Sequence, residues 1–386
     1  MFYLTKAIKR GIIFFYKIRK GKRVMNNIKF TTSENLISEL GKIYETLGYK
    51  KYKMSKFEEY DFYLENKSFL QSKNIITFTD INGKLLALKP DVTLSIVKNS
   101  GSDTQKLYYT ENVYRAKMGQ YKEIMQVGLE VIGSIDTYTQ GEVISLASKS
   151  LESISESFAL DISHMGFILG MLDELKLSES EYNTILELIR MKDGHEIKNL
   201  CEKAGAPEKL TENVIKMSTL YGSFEEILPV CKDISANDKT NSAIAELEAI
   251  YEILKALEVD KNINLDFSIV NDMSYYSGVI FQGFINGISG SVLSGGRYDN
   301  LLSKMGKTVS AIGFAIYTDM LEYFGKETDE NDVDVMLLYE KNTDTITIAK
   351  KVQELTKGGF TVFASDKIPE KLRYKLLVNL DGKENN

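Results

Sequence analysis

The chain has 386 residues, 43% of them hydrophobic and 26% charged, with a formal net charge of −6. That length carries two or more domains and a sizeable core, and the composition is ordinary for a globular protein. With only Cys201, Cys231, His164 and His195, a disulfide framework is excluded, a structural zinc site is disfavoured, and a reducing, cytoplasmic setting is expected.

The charge is uneven. Residues 1–24 hold eight Lys/Arg and no acid, which leaves 40 basic against 54 acidic residues in the rest, a net of −14. A body that acidic repels a polyanion, so nucleic acid is not expected as a partner. The apolar run Gly11 to Tyr16 is too short to span a bilayer and lacks a small-residue cleavage site. A basic membrane-surface helix is one reading of this head. The favoured reading starts the native protein at Met25 and treats 1–24 as a basic extension, with no membrane partner.

In chain order, Thr31-Thr32-Ser33-Glu34 is patterned as a capping box. Leu36, Ile37, Leu40, Ile43, Tyr44 and Leu47 then recur at helical spacing, and Gly48 is suited to end that helix. "YKKYKMSKFE" reads as a strand, and "ITFTDINGKLLAL" as a hairpin around Asn82-Gly83. Pro90 is placed to open a helix through "PDVTLSIVKNS". "KLYYTENVYR" and "EIMQVGLEVIG" read as strands joined by the loop "AKMGQYK". A helix follows over 139–157, and 165–260 is helical throughout, as if inserted between two halves of one sheet. Strands resume at "LDFSIVND", "GVIFQGFI" and "GSVLS". "SGGRYD" reads as a tight turn, and "GFAIYTDMLEYF" as a helix with Phe314, Tyr317, Leu321 and Phe324 in one stripe. The end of the chain makes a small β-α-β pattern, "VDVMLLY", "TIAKKVQELTKGG" and "FTVFAS".

The strand 123–133 is the most informative segment. Alternation puts Met125, Val127, Leu129 and Val131 on one face and Gln126, Gly128 and Glu130 on the other. Gly128 removes a side chain between two polar ones and so leaves room for a ligand above the sheet. The bland alternative is a half-exposed strand with a wet polar face. Asp91 and Thr93 start a helical turn, and Tyr275 and Tyr276 stand where a strand begins. Asp91 and Glu130 are suited to an ammonium or imidazolium, with Gln126, Thr93 and a tyrosine hydroxyl completing its hydrogen bonds. A small amino acid with a basic side chain fits that inventory. Arg115, at the end of its strand, is a candidate clamp for a carboxylate or phosphate. Neither a Walker-type loop nor a strand–GxGxxG–helix fingerprint occurs.

Taken in order, these segments resemble the histidyl-tRNA synthetase family over residues 28–325. "KPDVT" is similar to its Arg-Pro-Glu-Gly-Thr segment, and "KLYYTENVYR…YKEIMQVGLEVIG" to its motif 2 and following strand. "NDMSYYSGVIF" is similar to its Arg-Gly-Leu-Asp-Tyr-Tyr segment, and "SGGRYDNLLSKMG…AIGFAIYTDML" to its motif 3. The resemblance implies an α+β fold, a class II synthetase antiparallel sheet flanked by helices. Residues 25–164 and 261–325 would form the core, 165–260 a helical insertion and 326–386 a truncated α/β appendage. It also implies a histidine site at Asp91, Thr93, Gln126, Glu130 and Tyr276, with Arg115 and Tyr275 beside it.

The departures point away from catalysis. Arg115 is followed by Ala116 and Lys117 where the family continues Arg-x-Glu, and Asn271 and Met320 align with its two ATP-gripping arginines. Losing one preorganised charge-stabilising group commonly costs at least ~10²-fold in rate. A chain of this kind resembles the regulatory subunits of ATP phosphoribosyltransferase. The resemblance implies no catalytic residue, metal or cofactor, a short-form catalytic subunit as partner, histidine as effector and self-association as a dimer. The alternatives are a divergent histidyl-tRNA synthetase or another histidine-sensing relative.

Overall fold

The computed structural model describes residues 33–70, 74–117, 119–270, 275–321 and 331–380. The expectations for residues 1–24 and Asn271 lie outside them. A nine-stranded sheet forms the centre. Its strands are Lys50–Lys51 (β1), Gln105–Lys117 (β2), Gln120–Gly133 (β3), Phe158–His164 (β4), Tyr221–Ser223 (β5), Ile263–Asp266 (β6), Val279–Ile285 (β7), Leu293–Arg297 (β8) and Ser310–Tyr317 (β9). They stand in the order β1-β2-β3-β9-β8-β7-β4-β6-β5. All pairings are antiparallel except β1 with β2 and β4 with β6.

One face of this sheet is sealed by helices. Leu129, Phe314 and Ile162 share a core with Leu40 and Tyr44 of Ser33–Thr46, Ile144 and Ala147 of Thr137–Ile154, and Leu247 and Leu254 of Asp238–Ala256. The other face carries a second cluster, with Tyr109, Val113, Tyr298 and Leu301 against Leu94 and Val97 of the Thr93–Asn99 helix. A small three-stranded sheet, Phe57–Glu59, Leu85–Leu88 and Thr77–Thr79, lies next to that helix in the chain. The expected Asn82-Gly83 turn is there. Asp80 Oδ1 accepts from the Asn82 and Lys84 amides, and Gly83 takes φ +82°.

Several expectations need correction. "GFAIY" is the strand β9, not a helix, followed by a 3₁₀ turn at Thr318–Met320. Both faces of β9 are covered, so its apolar run lacks the alternation that marks a strand. Phe324 lies outside the described residues. Gly295 and Gly296 fall inside β8 rather than in a turn, and they are glycines where a Cβ would collide with a neighbouring strand. β2 runs past Arg115 to Lys117 and β3 starts at Gln120, so most of the expected loop is strand. "YKKYKMSKFE" divides between β1 and Phe57–Glu59, and the strand in "LDFSIVND" ends at Asp266.

Residues 165–260 are not wholly helical. Met165–Asp173, Glu179–Arg190, Gly194–Lys203, Glu208–Thr219, Phe224–Ile234 and Asp238–Ala256 are helices, but Tyr221–Ser223 joins the sheet edge as β5. Capping boxes at Ser178 and Asn237 set two of the helix starts. Ile185, Val214 and Cys231 belong to the same core cluster as the sheet. The C-terminal β-α-β pattern is present at Val333–Leu338, Thr345–Lys357 and Val362–Ser365. Tyr374–Asn379 adds a strand that makes this a three-stranded parallel sheet.

Candidate functional site

The strand β3 delivers the alternation read from the sequence. Val127, Leu129 and Val131 enter the helix-side core, while Gln126 and Glu130 line a cavity on the opposite face. All seven candidate residues, Asp91, Thr93, Arg115, Gln126, Glu130, Tyr275 and Tyr276, line that one cavity. Its volume is about 50 Å³. One water needs roughly 10–15 Å³ on that measure, so the space holds several. Neither histidine lines it. His164 instead bonds Glu246 at 3.3 Å, and His195 is exposed.

Glu130 is the centre of the site. It is 2% exposed, with Oε1 accepting from Thr93 Oγ1 at 2.8 Å and Oε2 from Tyr298 OH at 2.5 Å. Burial pushes its carboxyl up to about 8, although the two hydroxyl donors pull the other way. The carboxylate lies over Gly313, its directly paired neighbour on β9, where any Cβ would overlap it. That close approach explains the glycine.

Gly128 has a different use from the one expected. The space above it is filled by the Tyr109 hydroxyl and ring, so it makes room for a protein side chain and not directly for a ligand. Tyr109 is its cross-strand partner on β2.

Asp91 caps its own turn, with Oδ1 accepting from the Leu94 amide at 2.9 Å. Its Oδ2 is 3.7 Å from the Arg115 guanidinium, and burial raises its pKa against that neighbouring charge. Arg115 also donates from Nε to the Pro90 carbonyl at 2.8 Å. It therefore reaches the cavity already turned toward the Pro90-Asp91 segment. The Tyr275 and Tyr276 rings lie tilted at 51° with centroids 4.6 Å apart, and the Tyr275 ring is 5.7 Å from that of Tyr298. Burial raises the pKa of both phenols, and Tyr275 also shares a hydrogen bond with Thr93. Gln126 is 3% exposed, and its amide makes no hydrogen bond among the described residues. Its side chain lines the cavity, across the sheet face from Glu130.

The sequence reading missed Tyr109, Tyr298, Ser294 and Tyr317, all of which line the cavity. Tyr298 follows the double glycine of β8, which was the available signal. Ser294 and Tyr317 bond each other at 2.6 Å. Met320, expected where a cation would grip nucleotide, packs against the apolar core.

Among the described residues, no group of three or more His, Cys, Asp and Glu side chains is placed to hold a metal ion. None of their helices is long and apolar enough to cross a membrane.

A family model described as Histidyl-tRNA synthetase matches residues 23–321. The ATP phosphoribosyltransferase regulatory subunit of Clostridium kluyveri is 32% identical over 324 residues, covering 80% of this chain and 82% of that protein. The chain belongs to the ATP phosphoribosyltransferase regulatory subunit branch of the histidyl-tRNA synthetase family. Two solved structures share its fold. One, from Bacillus halodurans C, is described as an ATP phosphoribosyltransferase regulatory subunit/histidyl-tRNA synthetase. It has a TM-score of 0.71 at 23% identity, covering 90% of this chain and 93% of that one. The other belongs to the ATP phosphoribosyl transferase (HisG:HisZ) complex of Thermotoga maritima, with a TM-score of 0.58 at 18% identity, covering 73% and 96%. The antiparallel sheet flanked by helices is thus the class II synthetase-like fold expected. By name, the curated relatives of this branch regulate ATP phosphoribosyltransferase.

Proposed function

We propose that this chain is the non-catalytic regulatory partner of a short-form ATP phosphoribosyltransferase, and that its cavity holds histidine as the feedback signal. The observation that carries this is the convergence of Asp91, Glu130, Gln126 and Arg115 on one small cavity walled by tyrosines. The two carboxylates suit the ammonium and imidazole ends of a basic amino acid, and the guanidinium suits its carboxylate. The apolar Met320 supports a site that recognises the amino acid without activating it. Histidine binding and partner contact then share a coupling free energy that acts in both directions. The names of the relatives, and the Thermotoga maritima complex, support that partner.

The test mixes the purified chain with a short-form catalytic subunit and measures product formation with and without histidine. Activation by the chain and inhibition by histidine are expected. No activation and no histidine response would sink the reading. Arg115 favours one second reading, a working synthetase, since its guanidinium lines the cavity. Histidine-dependent ATP–pyrophosphate exchange distinguishes the two, and robust exchange would replace the first reading with the second.

A further inference from the structure

Lys89 is fully buried, and its ammonium bonds Glu111 Oε2 at 2.8 Å. Lysine is almost never fully buried without a partner, and burial here lowers its pKa. The pair is not part of the cavity lining. Its position gives it a use all the same. Glu111 lies on β2 directly across from Gln126 of β3. Four residues further along β2, on the same strand face, Arg115 holds the Pro90 carbonyl and faces Asp91. The Lys89 backbone is bonded on both sides, its amide to the Lys56 carbonyl at 3.0 Å and its carbonyl to the Tyr114 amide at 2.9 Å. The short turn that presents Asp91 and Thr93 is thus fastened to β2 at Glu111, Tyr114 and Arg115, and to Lys56 just ahead of the Phe57–Glu59 strand.

We propose that Lys89 and Glu111 are positioning residues for the cavity, an ion pair between a fully buried lysine and a largely buried glutamate that fixes the 89–93 turn so that Asp91 and Thr93 face Glu130 and Gln126. The inference rests on the reading of the cavity as a histidine site only for its affinity readout. A buried pair is a poor source of net stability compared with an apolar pair of similar volume, so a placement role accounts for its presence where a stability role does not. Misplacing a contact group by about 1 Å costs up to ~10²-fold in function, which sets the scale of the effect.

The test uses the full chain with both charges removed together, as the Lys89→Met/Glu111→Leu double variant. Histidine affinity by calorimetry is expected to fall about tenfold or more while the melting temperature stays near wild type. Lys89→Arg keeps the charge and is expected to restore affinity to within about threefold. Amide hydrogen exchange over residues 91–94, read without ligand, is expected to quicken about tenfold in the double variant. That readout stands even if wild type binds no histidine, an outcome that would sink the histidine reading and leave this one intact. Unchanged exchange and unchanged affinity in a stable double variant would overturn the proposal. If the double variant does not fold, Glu111→Gln decides the matter. It keeps an acceptor for the ammonium but loosens the pair, so exchange over 91–94 is expected to rise by about threefold, and no change would overturn the proposal.

Discussion

Leu129 and Glu130 are neighbours in β3, yet they face different worlds. Leu129 is fully buried among helix-borne apolar side chains, with Phe314 paired beside it on β9. Glu130 is almost as buried, but hydroxyls and a glycine surround it. The helix face solves burial by filling space. The cavity face keeps space open and meets the cost of a buried carboxyl with two hydrogen bonds and a raised pKa. Burial alone therefore does not separate core from site. What separates them is whether the neighbours are shaped to fill the volume or to leave it.

Four substitutions sharpen or break that comparison. The largest effect is expected on the filled face: Leu129→Ala should cost about 2–5 kcal/mol in urea unfolding, with the histidine affinity of the folded protein nearly unchanged. A comparable loss of affinity would mean that the two faces are not independent. Next, Gly313→Ala places a methyl group on the Glu130 carboxylate. Histidine affinity should fall about 10²-fold while stability drops by about 1–3 kcal/mol, read by calorimetry and urea unfolding respectively.

The third concerns protons. The Glu130 carboxyl ionises near 4.5 when free and is pushed up to about 8 in the fold. Between those values the folded chain holds a proton that the unfolded chain has lost, so stability should fall as pH rises from about 5 to about 8. Glu130→Gln should flatten that slope in unfolding curves taken across the range. A cationic ligand favours the ionised carboxylate, so below about pH 6, where free imidazole already carries its proton, wild type should release a proton on binding histidine. Calorimetry in buffers of different ionisation enthalpy reads this, and a proton taken up would contradict it. The smallest effect is expected at Gln126→Ala. It should weaken histidine by about five- to tenfold and leave the melting temperature almost unmoved, since the side chain lines the cavity rather than the packed core.

Much of the site was legible because strand alternation is a local property. Gln126 and Glu130 had to share a face once 123–133 was read as a strand, and the polar chemistry of the Asp91-Thr93 turn and the paired tyrosines grouped them with it, which the family resemblance then reinforced. Tyr298 was not legible, because its bond to Glu130 spans 168 residues of sequence and exists only through the β3-β9-β8 order. The 313–317 segment was misread for a related reason. Covered on both faces, "GFAIY" gives an unbroken apolar run, and such a run fits a buried strand and a helix equally well. β5 was missed because three residues are too few to show any period.

By itself, the sequence determined the alternation of β3, the hairpin at Asn82-Gly83, the helices of residues 165–260 apart from the short β5 strand, and the family. Each rests on short-range geometry or on ordered motifs along the chain. Only the tertiary structure decided what fills each gap. The space over Gly128 went to Tyr109, the space over Gly313 went to Glu130, and the cavity between them stayed open. Those outcomes depend on which strands lie side by side and in what register, and no single strand carries that information.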